Sequence, residues 1–404
     1  MTAVVVGASV AGVRTAQALR REGFDDEIVL VGAEPDLPYD KPPLSKAALA
    51  GTTPMDAIAL LTEDDARELG VELRLGVPAS SLDVPDRNVQ LADGSSIGYD
   101  QVVVATGTRA RPSPWEAGSR LHLLRTASDC ARLRADMQSA RSILVIGAGF
   151  IGSEVAATAT KLGLTVTMVD PLPIPMSRVV GAEMGELLAS VHDGYDVDRR
   201  FGVGVDEVAD DGAQLTVELT DGSQVRADLA VVGIGAVPNT EWLEDSGLAI
   251  DNGVICDEFC RAEGRTDVFA AGDIARWLHL RHGEHRRVEH WTHACEQAAA
   301  VAHNICHGDE LRAYDPVDYV WSDQYDWRIQ MVGHTAEDAT PETVGDISSG
   351  RCAAVYAGPG GELTGAVTVS WPKAMLAVRR LLTAGGASAA DALEQIHKLA
   401  APVG

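Results

Sequence analysis

The chain has 404 residues, 46% hydrophobic and 23% charged, with a formal net charge of −26. This length predicts several domains, and the apolar content predicts buried cores rather than disorder. No apolar run reaches the roughly 18 residues a membrane helix needs, and the acidity excludes a general nucleic-acid or anionic-membrane binder. The acidity is segmental: −9 over residues 1–100, +1 over 101–200, −13 over 201–275 and −5 over 276–404. No basic n-region or cleavage site stands before the first apolar run, so no signal peptide is expected. The six cysteines are scattered, with no C-x-x-C, which fits a cytoplasmic chain.

The chain opens on a β run, Ala3–Val6, followed by the turn Gly7-Ala8-Ser9-Val10-Ala11-Gly12. A helical stretch (Val13–Glu22) and a second β run (Glu27–Val31, reaching Ala33 and Glu34) complete a βαβ unit. Val84–Gly98 reads as a hairpin turning at Asp93-Gly94, and Val102–Ala105 is a buried-type strand leading into Thr106-Gly107. The opening pattern recurs 140 residues on: Ile143–Ile146, the turn Gly147-Ala148-Gly149-Phe150-Ile151-Gly152, a helix through Leu162, then Thr165–Val169 ending at Asp170. Gln214–Val225 repeats the hairpin with Asp221-Gly222 at its turn. A further strand runs over 266–271 into Gly272-Asp273 at a helix start. The last segment alternates β runs (Tyr319–Trp321, Ile329–Val332, Cys352–Tyr356, Leu363–Val369) before a helical region from Lys373.

Each glycine of the repeated turn has a physical task. The first makes the tight turn, the second lets backbone approach a pyrophosphate, and the third lets helix and strand pack closely. Gly147, Gly149 and Gly152 fit fully. In the first copy Ser9 takes the middle place between Gly7 and Gly12, where its hydroxyl could donate to a phosphate. Asp170 ends the second unit's second strand, where an acid accepts from an adenosine 2′-hydroxyl and repels a 2′-phosphate; residues 171–177 hold no Arg or Lys, which favours NAD over NADP. Glu34 is the equivalent acid of the first unit. The fold expected is α/β: two doubly wound, Rossmann-like nucleotide-binding domains and a C-terminal α+β domain.

At this point the chain resembles the flavoprotein pyridine-nucleotide reductases, the pyridine nucleotide-disulfide oxidoreductase superfamily. Within it, Pro38-Tyr39-Asp40-Lys41-Pro42-Pro43-Leu44-Ser45-Lys46, Gly233–Asn239, Arg287-Val288-Glu289-His290-Trp291 and Trp321-Ser322-Asp323-Gln324-Tyr325 are similar to segments of the putidaredoxin reductase-like, FAD-dependent NADH:ferredoxin reductases that serve oxygenases. The resemblance implies FAD on residues 1–109 and 237–315, NADH on 110–236, and an interface domain over 316–404. It places Gly7, Ser9, Val10, Ala11, Gly12, Ala33, Glu34, Lys41, Pro42, Lys46, Ala79, Ala105, Thr106, Gly107, Arg125, Gly272, Asp273, Glu289, His290 and Trp291 around FAD. Asp273 would hold the ribityl chain. Gly147, Gly149, Phe150, Ile151, Gly152, Glu154, Asp170, Arg178 and Gly235 would hold NADH. Lys46, Glu154 and Trp321 are the candidate catalytic residues.

The chain departs from the pattern at Lys41 (usually Arg), Ile174, His293 and Ala299. It has no cysteine pair near the expected flavin and none over 35–50, so no thiol relay is expected. Electrons then leave one at a time to an outside acceptor. The implied partner is a two-iron two-sulfur ferredoxin, with no nucleic acid and no membrane, and the protein is expected to be a monomer or weak homodimer. The alternatives are an NADH reductase of rubredoxin or another acceptor, or an apoptosis-inducing-factor-like redox sensor. No metal site is read from the sequence: His279, His282, His285, His290 and His293 read as a solvent-exposed loop. Because such ferredoxins are acidic, docking needs a basic patch, expected among Arg286, Arg287, Arg328, Lys373, Arg379 and Arg380.

Overall fold

The computed structural model describes residues 1–116, 118–335, 340–346 and 350–400. The chain divides into two compact units. One contains Met1–Asp40, Pro54–Arg109 and Ala236–Pro316; the other contains Lys41–Thr53, Ala110–Gly235 and Val317–Gly404.

The first unit is built on a five-stranded parallel sheet in the order Val268–Ala270, Gln101–Val104, Thr2–Val6, Glu27–Gly32, Val71–Leu75. The central strands are runs of Val, Ile and Leu buried on both faces, as parallel sheets require. Helix Val10–Arg21 crosses between the first two strands, and the long helix Trp291–Cys306 packs against it. Two three-stranded sheets belong to the same unit. One is the expected hairpin with a third strand (Ala79–Asp83, Asn88–Leu91, Ser96–Gly98). The other joins Val254–Cys256, Ala275–His279 and Glu284–Arg287.

The second unit repeats the plan. Its parallel sheet runs Asp198–Phe201, Thr165–Asp170, Ser142–Ile146, Leu229–Val232, Leu121–His122. In both sheets the strand before the glycine turn is central and the chain winds outward from it in both directions. The same unit holds an antiparallel sheet in the order Tyr319–Gln324, Trp327–Gly333, Leu363–Val369, Arg351–Ala357, Glu342–Asp346. Helices Pro372–Ala384 and Ala389–Ala400 cover one face through Ala374, Met375, Val378 and Ile396. The helical segment Ser177–Ser190, kinked at Gly181, covers the other through Val180, Met184 and Leu188. Segment Lys41–Thr53 belongs to this unit for local reasons: Thr158 Oγ1 donates to the Ser45 carbonyl (2.8 Å) and the Cys130 thiol donates to the Leu44 carbonyl (3.4 Å).

The histidine-rich stretch corrects the sequence reading. His282 and His285 are exposed, but His279 and His293 are buried, on a strand and a helix. The Gly272-Asp273 segment is also not a helix start; it is one short 3₁₀ turn, Gly272–Ile274, between two strands.

Three imidazoles are held neutral by burial. His293, stacked on Trp277 and bonded to Tyr314, is pushed down to about 3. His290 and His192 are pushed down to about 4, the latter beside the Tyr325 hydroxyl at 2.8 Å. The unfolded chain protonates the same groups near the ordinary value of about 6.5, so their contribution is complete above that pH and is lost as pH falls toward 4. Calorimetry should therefore show a melting temperature that drops steadily from pH 7 to pH 5, by at most about 2 kcal/mol of stability per buried imidazole, with net proton uptake on unfolding. A flat profile with no proton uptake would contradict this assignment.

Candidate functional site

The two glycine turns are built alike. A Cβ on Gly7 would lie 2.1 Å from the Ala105 carbonyl oxygen, and one on Gly147 would lie 2.3 Å from that of Gly233. Both residues have positive φ, +123° and +101°. A Cβ on Gly12 would meet the Gly7 oxygen at 1.8 Å, and one on Gly152 the Gly147 oxygen at 1.9 Å. Any other residue would push helix and strand apart. A Cβ on Gly149 would meet nothing, so the top of that turn is open to an incoming group.

What happens at the helix starts decides what the turns can hold. Helices Glu63–Leu69 and Ala127–Met137 are closed by capping boxes, Thr62 with Asp65 and Thr126 with Asp129. The helices after the glycine turns have no such cap: Ser9 and Gly149 occupy the N-cap position in extended backbone without a side-chain bond. Their first-turn N–H groups and the positive end of the helix dipole therefore face outward, which suits a pyrophosphate. Both cradles fit dinucleotides.

Around the first turn the unit supplies a ring of held polar groups. Tyr39 donates its hydroxyl to the Glu34 carboxylate, while Ala33 is exposed beside it. Thr106 Oγ1 donates to the Asn239 carbonyl (3.0 Å), and Asn239 Nδ2 returns a bond to the Thr106 carbonyl (2.8 Å). Thr108 Oγ1 donates to Asp273 (2.9 Å). The Gly272 N–H donates to the buried Gln297 side chain (2.8 Å). Arg287 donates to the Asp273 carbonyl (3.0 Å) and pairs with Glu289 (2.6 Å). His290 is the N-cap residue of the helix that Trp291 opens, and Trp291 Nε1 donates to Asp40 (2.6 Å). Burial raises the Asp40 carboxyl, an effect that the Trp291 bond partly offsets. Val10 and Ala11 open the first helix, Gly107 takes φ +61°, and half-buried Ala79 starts the hairpin sheet.

In the second unit Asp170 accepts from the backbone N–H of Ala148 (2.8 Å) and of Leu172 (2.8 Å). It thus braces its own glycine turn and retains lone pairs for a ligand. Phe150 is half-buried and Ile151 exposed on the helix's first turn; Arg178 is exposed at the start of helix Ser177–Ser190. Gly235 takes φ +102° and accepts from the Arg111 N–H (2.9 Å). Arg125 donates its N–H to Asp129 (3.2 Å), just before a helix start. Lys41 caps the 3₁₀ turn Pro42–Ser45.

The unit's focal point is Glu154, whose side chain is 4% exposed. Its Oε2 accepts from Lys46 Nζ (2.6 Å) and from Ser45 Oγ (2.5 Å); its Oε1 accepts from Ser322 Oγ (2.7 Å). The sequence analysis named Lys46 and Glu154 as candidate catalytic residues but missed Ser45 and Ser322. Both serines sit inside the two most specific segments, PPLSK and WSDQY, which was the available signal. Trp321, next to Ser322, stays half-exposed, with its ring centroid 6.2 Å from that of Tyr319. Sequence reasoning also missed Thr108, Gln297, Asn239 and Asp40, whose partners lie far along the chain.

All six cysteines are free, and burial raises every one of their thiols above the usual value. None is the lowered, accessible thiolate that disulfide chemistry needs.

Residues 1–298 match the family described as pyridine nucleotide-disulphide oxidoreductase, and residues 319–399 match the reductase C-terminal family. The chain belongs to the pyridine nucleotide-disulphide oxidoreductase family. It is 37% identical to the anthranilate 1,2-dioxygenase system ferredoxin–NAD(+) reductase component of Burkholderia cepacia, over 95% of this chain and 94% of that protein. The crystal structure of the ferredoxin reductase for the CYP199A2 system from Rhodopseudomonas palustris superposes with a TM-score of 0.92 at 32% identity, covering 97% and 96% of the two chains. A covalent putidaredoxin reductase–putidaredoxin complex matches with a TM-score of 0.89 at 31% identity, covering 94% and 92%.

The Lys46–Glu154 pair makes a direct test. Lys46→Met leaves a buried carboxylate without its cation and should cost about 3–5 kcal/mol in denaturant unfolding. Adding Glu154→Gln should recover most of that loss. A single variant that costs no more than the double would show that the pair is not coupled.

Proposed function

We propose that this chain is an FAD-dependent NADH:ferredoxin reductase that supplies electrons to an oxygenase. The observation that carries it is a chain with two open dinucleotide turns and six thiols all held protonated by burial. With no thiol relay, the redox work falls to the flavin, which when bound takes a hydride from NADH and releases electrons singly.

The chain's own residues do the positioning. In the first unit Gly7, Ser9, Val10, Ala11 and Gly12 hold the FAD pyrophosphate, Glu34 takes the adenosine ribose, and Asp273, oriented by Thr108, takes the ribityl chain. Ala79, Ala105, Thr106, Gly107, Glu289, His290 and Trp291 shape the rest of that cradle. Gly147, Gly149, Phe150, Ile151 and Gly152 hold the NADH pyrophosphate, with Asp170 on the ribose and Arg178 and Gly235 flanking. Asp170 selects NADH, because a 2′-phosphate would face its carboxylate. Glu154, fixed by three donors, holds Lys46 in one geometry, and that pair orients the nicotinamide; positioning supplies the rate here, not acid–base chemistry. The three-domain division (FAD, NAD and C-terminal interface) accounts for these roles.

The partner is a two-iron two-sulfur ferredoxin in the cytoplasm, met by a monomer or weak homodimer. Because this chain carries −26, an acidic partner needs a local basic face. Arg287 does not serve: it is 12% exposed and committed to Glu289 and the Asp273 carbonyl. Arg328, Lys373 and Arg380 are exposed on the C-terminal sheet and its first helix, where Arg379 lies over the Tyr319 ring at 5.0 Å. Trp321 lies on the same strand as Tyr319 and marks the exit side for electrons.

The purified holoenzyme should be yellow and should reduce ferricyanide and a two-iron ferredoxin with NADH, at a kcat/KM well above that with NADPH. A preference for NADPH would contradict the Asp170 assignment. Charge reversal of Lys373 and Arg380 together should flatten the salt dependence of ferredoxin reduction and leave ferricyanide reduction unchanged. An unaltered salt dependence would move the docking face elsewhere.

A further inference from the structure

One side-chain cluster of the first unit lies outside everything described above. Glu22 is the C-cap residue of helix Val10–Arg21. His303 lies in the last turn of helix Trp291–Cys306, and His307 is its C-cap residue. The two imidazoles, four residues apart, lie on one helical face with ring centroids 4.6 Å apart. A single carboxylate oxygen of Glu22 stands 3.2 Å from His303 Nδ1 and 3.1 Å from His307 Nε2.

We propose that Glu22, His303 and His307 form a binding site for a divalent ion of the zinc class. Three independent features point there. First, His303 Nε2 lies 3.1 Å from the Glu310 carbonyl oxygen. A carbonyl only accepts, so Nε2 carries the hydrogen, and in the neutral ring the lone pair of Nδ1 faces the Glu22 carboxylate. Two acceptors at that distance need a proton or a metal ion between them. A ligating histidine whose far nitrogen donates to a backbone carbonyl is the usual arrangement at metal sites. Second, the spacing fits: with metal–ligand bonds of about 2.0–2.2 Å, neighbouring ligands on a tetrahedral ion stand roughly 3.3 Å apart. Third, the C-terminal ends of two helices converge on the cluster, and both dipoles favour positive charge there.

The donor set selects the ion. Two imidazoles and one carboxylate suit zinc, copper or nickel, whereas calcium and magnesium want oxygen alone. His303 is buried, while Glu22 and His307 remain accessible, so an ion can enter from solvent and water can complete its shell. The site ties the far ends of two helices that start at the dinucleotide turn and at Trp291. Its role is a structural clamp, and it stands whether or not the flavin assignment holds.

The test is isothermal titration of zinc chloride into chelator-treated, flavin-loaded protein, with melting temperature as a second readout. One zinc per chain is expected, with a zinc-dependent rise in melting temperature. His307→Ala and Glu22→Gln, both at accessible positions, should each weaken binding at least about tenfold and abolish that rise. Cys306→Ser should leave both unchanged. Absence of saturable zinc binding would overturn the proposal, leaving a proton as the shared cation. Zinc binding that survives both ligand variants, or that is lost with Cys306→Ser, would place the metal elsewhere and overturn it equally.

Discussion

A carboxylate taken out of water is tolerable only if its lone pairs are met, and Glu154 organises the second unit around that requirement. Its three donors come from two chain regions: Ser45 and Lys46 from the segment after the first βαβ unit, and Ser322 from the first strand of the C-terminal sheet. Glu154 itself sits on the helix that follows the second glycine turn. Each donor is therefore placed by where the charge must be neutralised. The same demand explains why Lys41–Thr53, which the chain order would assign to the first unit, belongs to the second. The pair also fixes a cation beside a dinucleotide turn, and so the structural constraint and the proposed orientation of the nicotinamide are one interaction.

The glycine turns are the second fixed element. Four glycines stand where a Cβ would overlap a carbonyl oxygen, in two matched pairs. Because the overlap is with backbone, no side-chain rearrangement can relieve it. Both turns leave their helix starts without side-chain caps, whereas Thr62 and Thr126 cap two other helices fully. An uncapped start beside a glycine turn is a cost to the isolated helix that a bound pyrophosphate offsets.

Much of this was legible in the sequence because its causes are local. A glycine spacing and a Val-rich strand report on neighbouring residues, so both βαβ units and their acids Glu34 and Asp170 could be read directly. The Asp93-Gly94 and Asp221-Gly222 turns were legible for the same reason. Strand Glu342–Asp346 was not, because only Val344 in it is buried and the apolar signal is absent. Helix Ala127–Met137 was overlooked although Thr126 and Asp129 spell a capping box. The buried histidines escaped because burial at His279 and His293 follows from packing against Trp277 and Tyr314, not from their polar neighbours in sequence. Ser45 and Ser322 could be placed in motifs but not given partners, since their bonds to Glu154 span 109 and 168 residues.

The central claim is electron transfer through bound flavin without any cysteine taking part. The most direct measurement is NADH-dependent ferredoxin reduction after treatment with a thiol alkylating reagent in the presence of NADH, with flavin content checked alongside. Turnover should be unchanged, because every thiol is held protonated by burial and none is paired. Loss of ferredoxin reduction with flavin retained and one cysteine alkylated would show a thiol in the electron path and contradict the account.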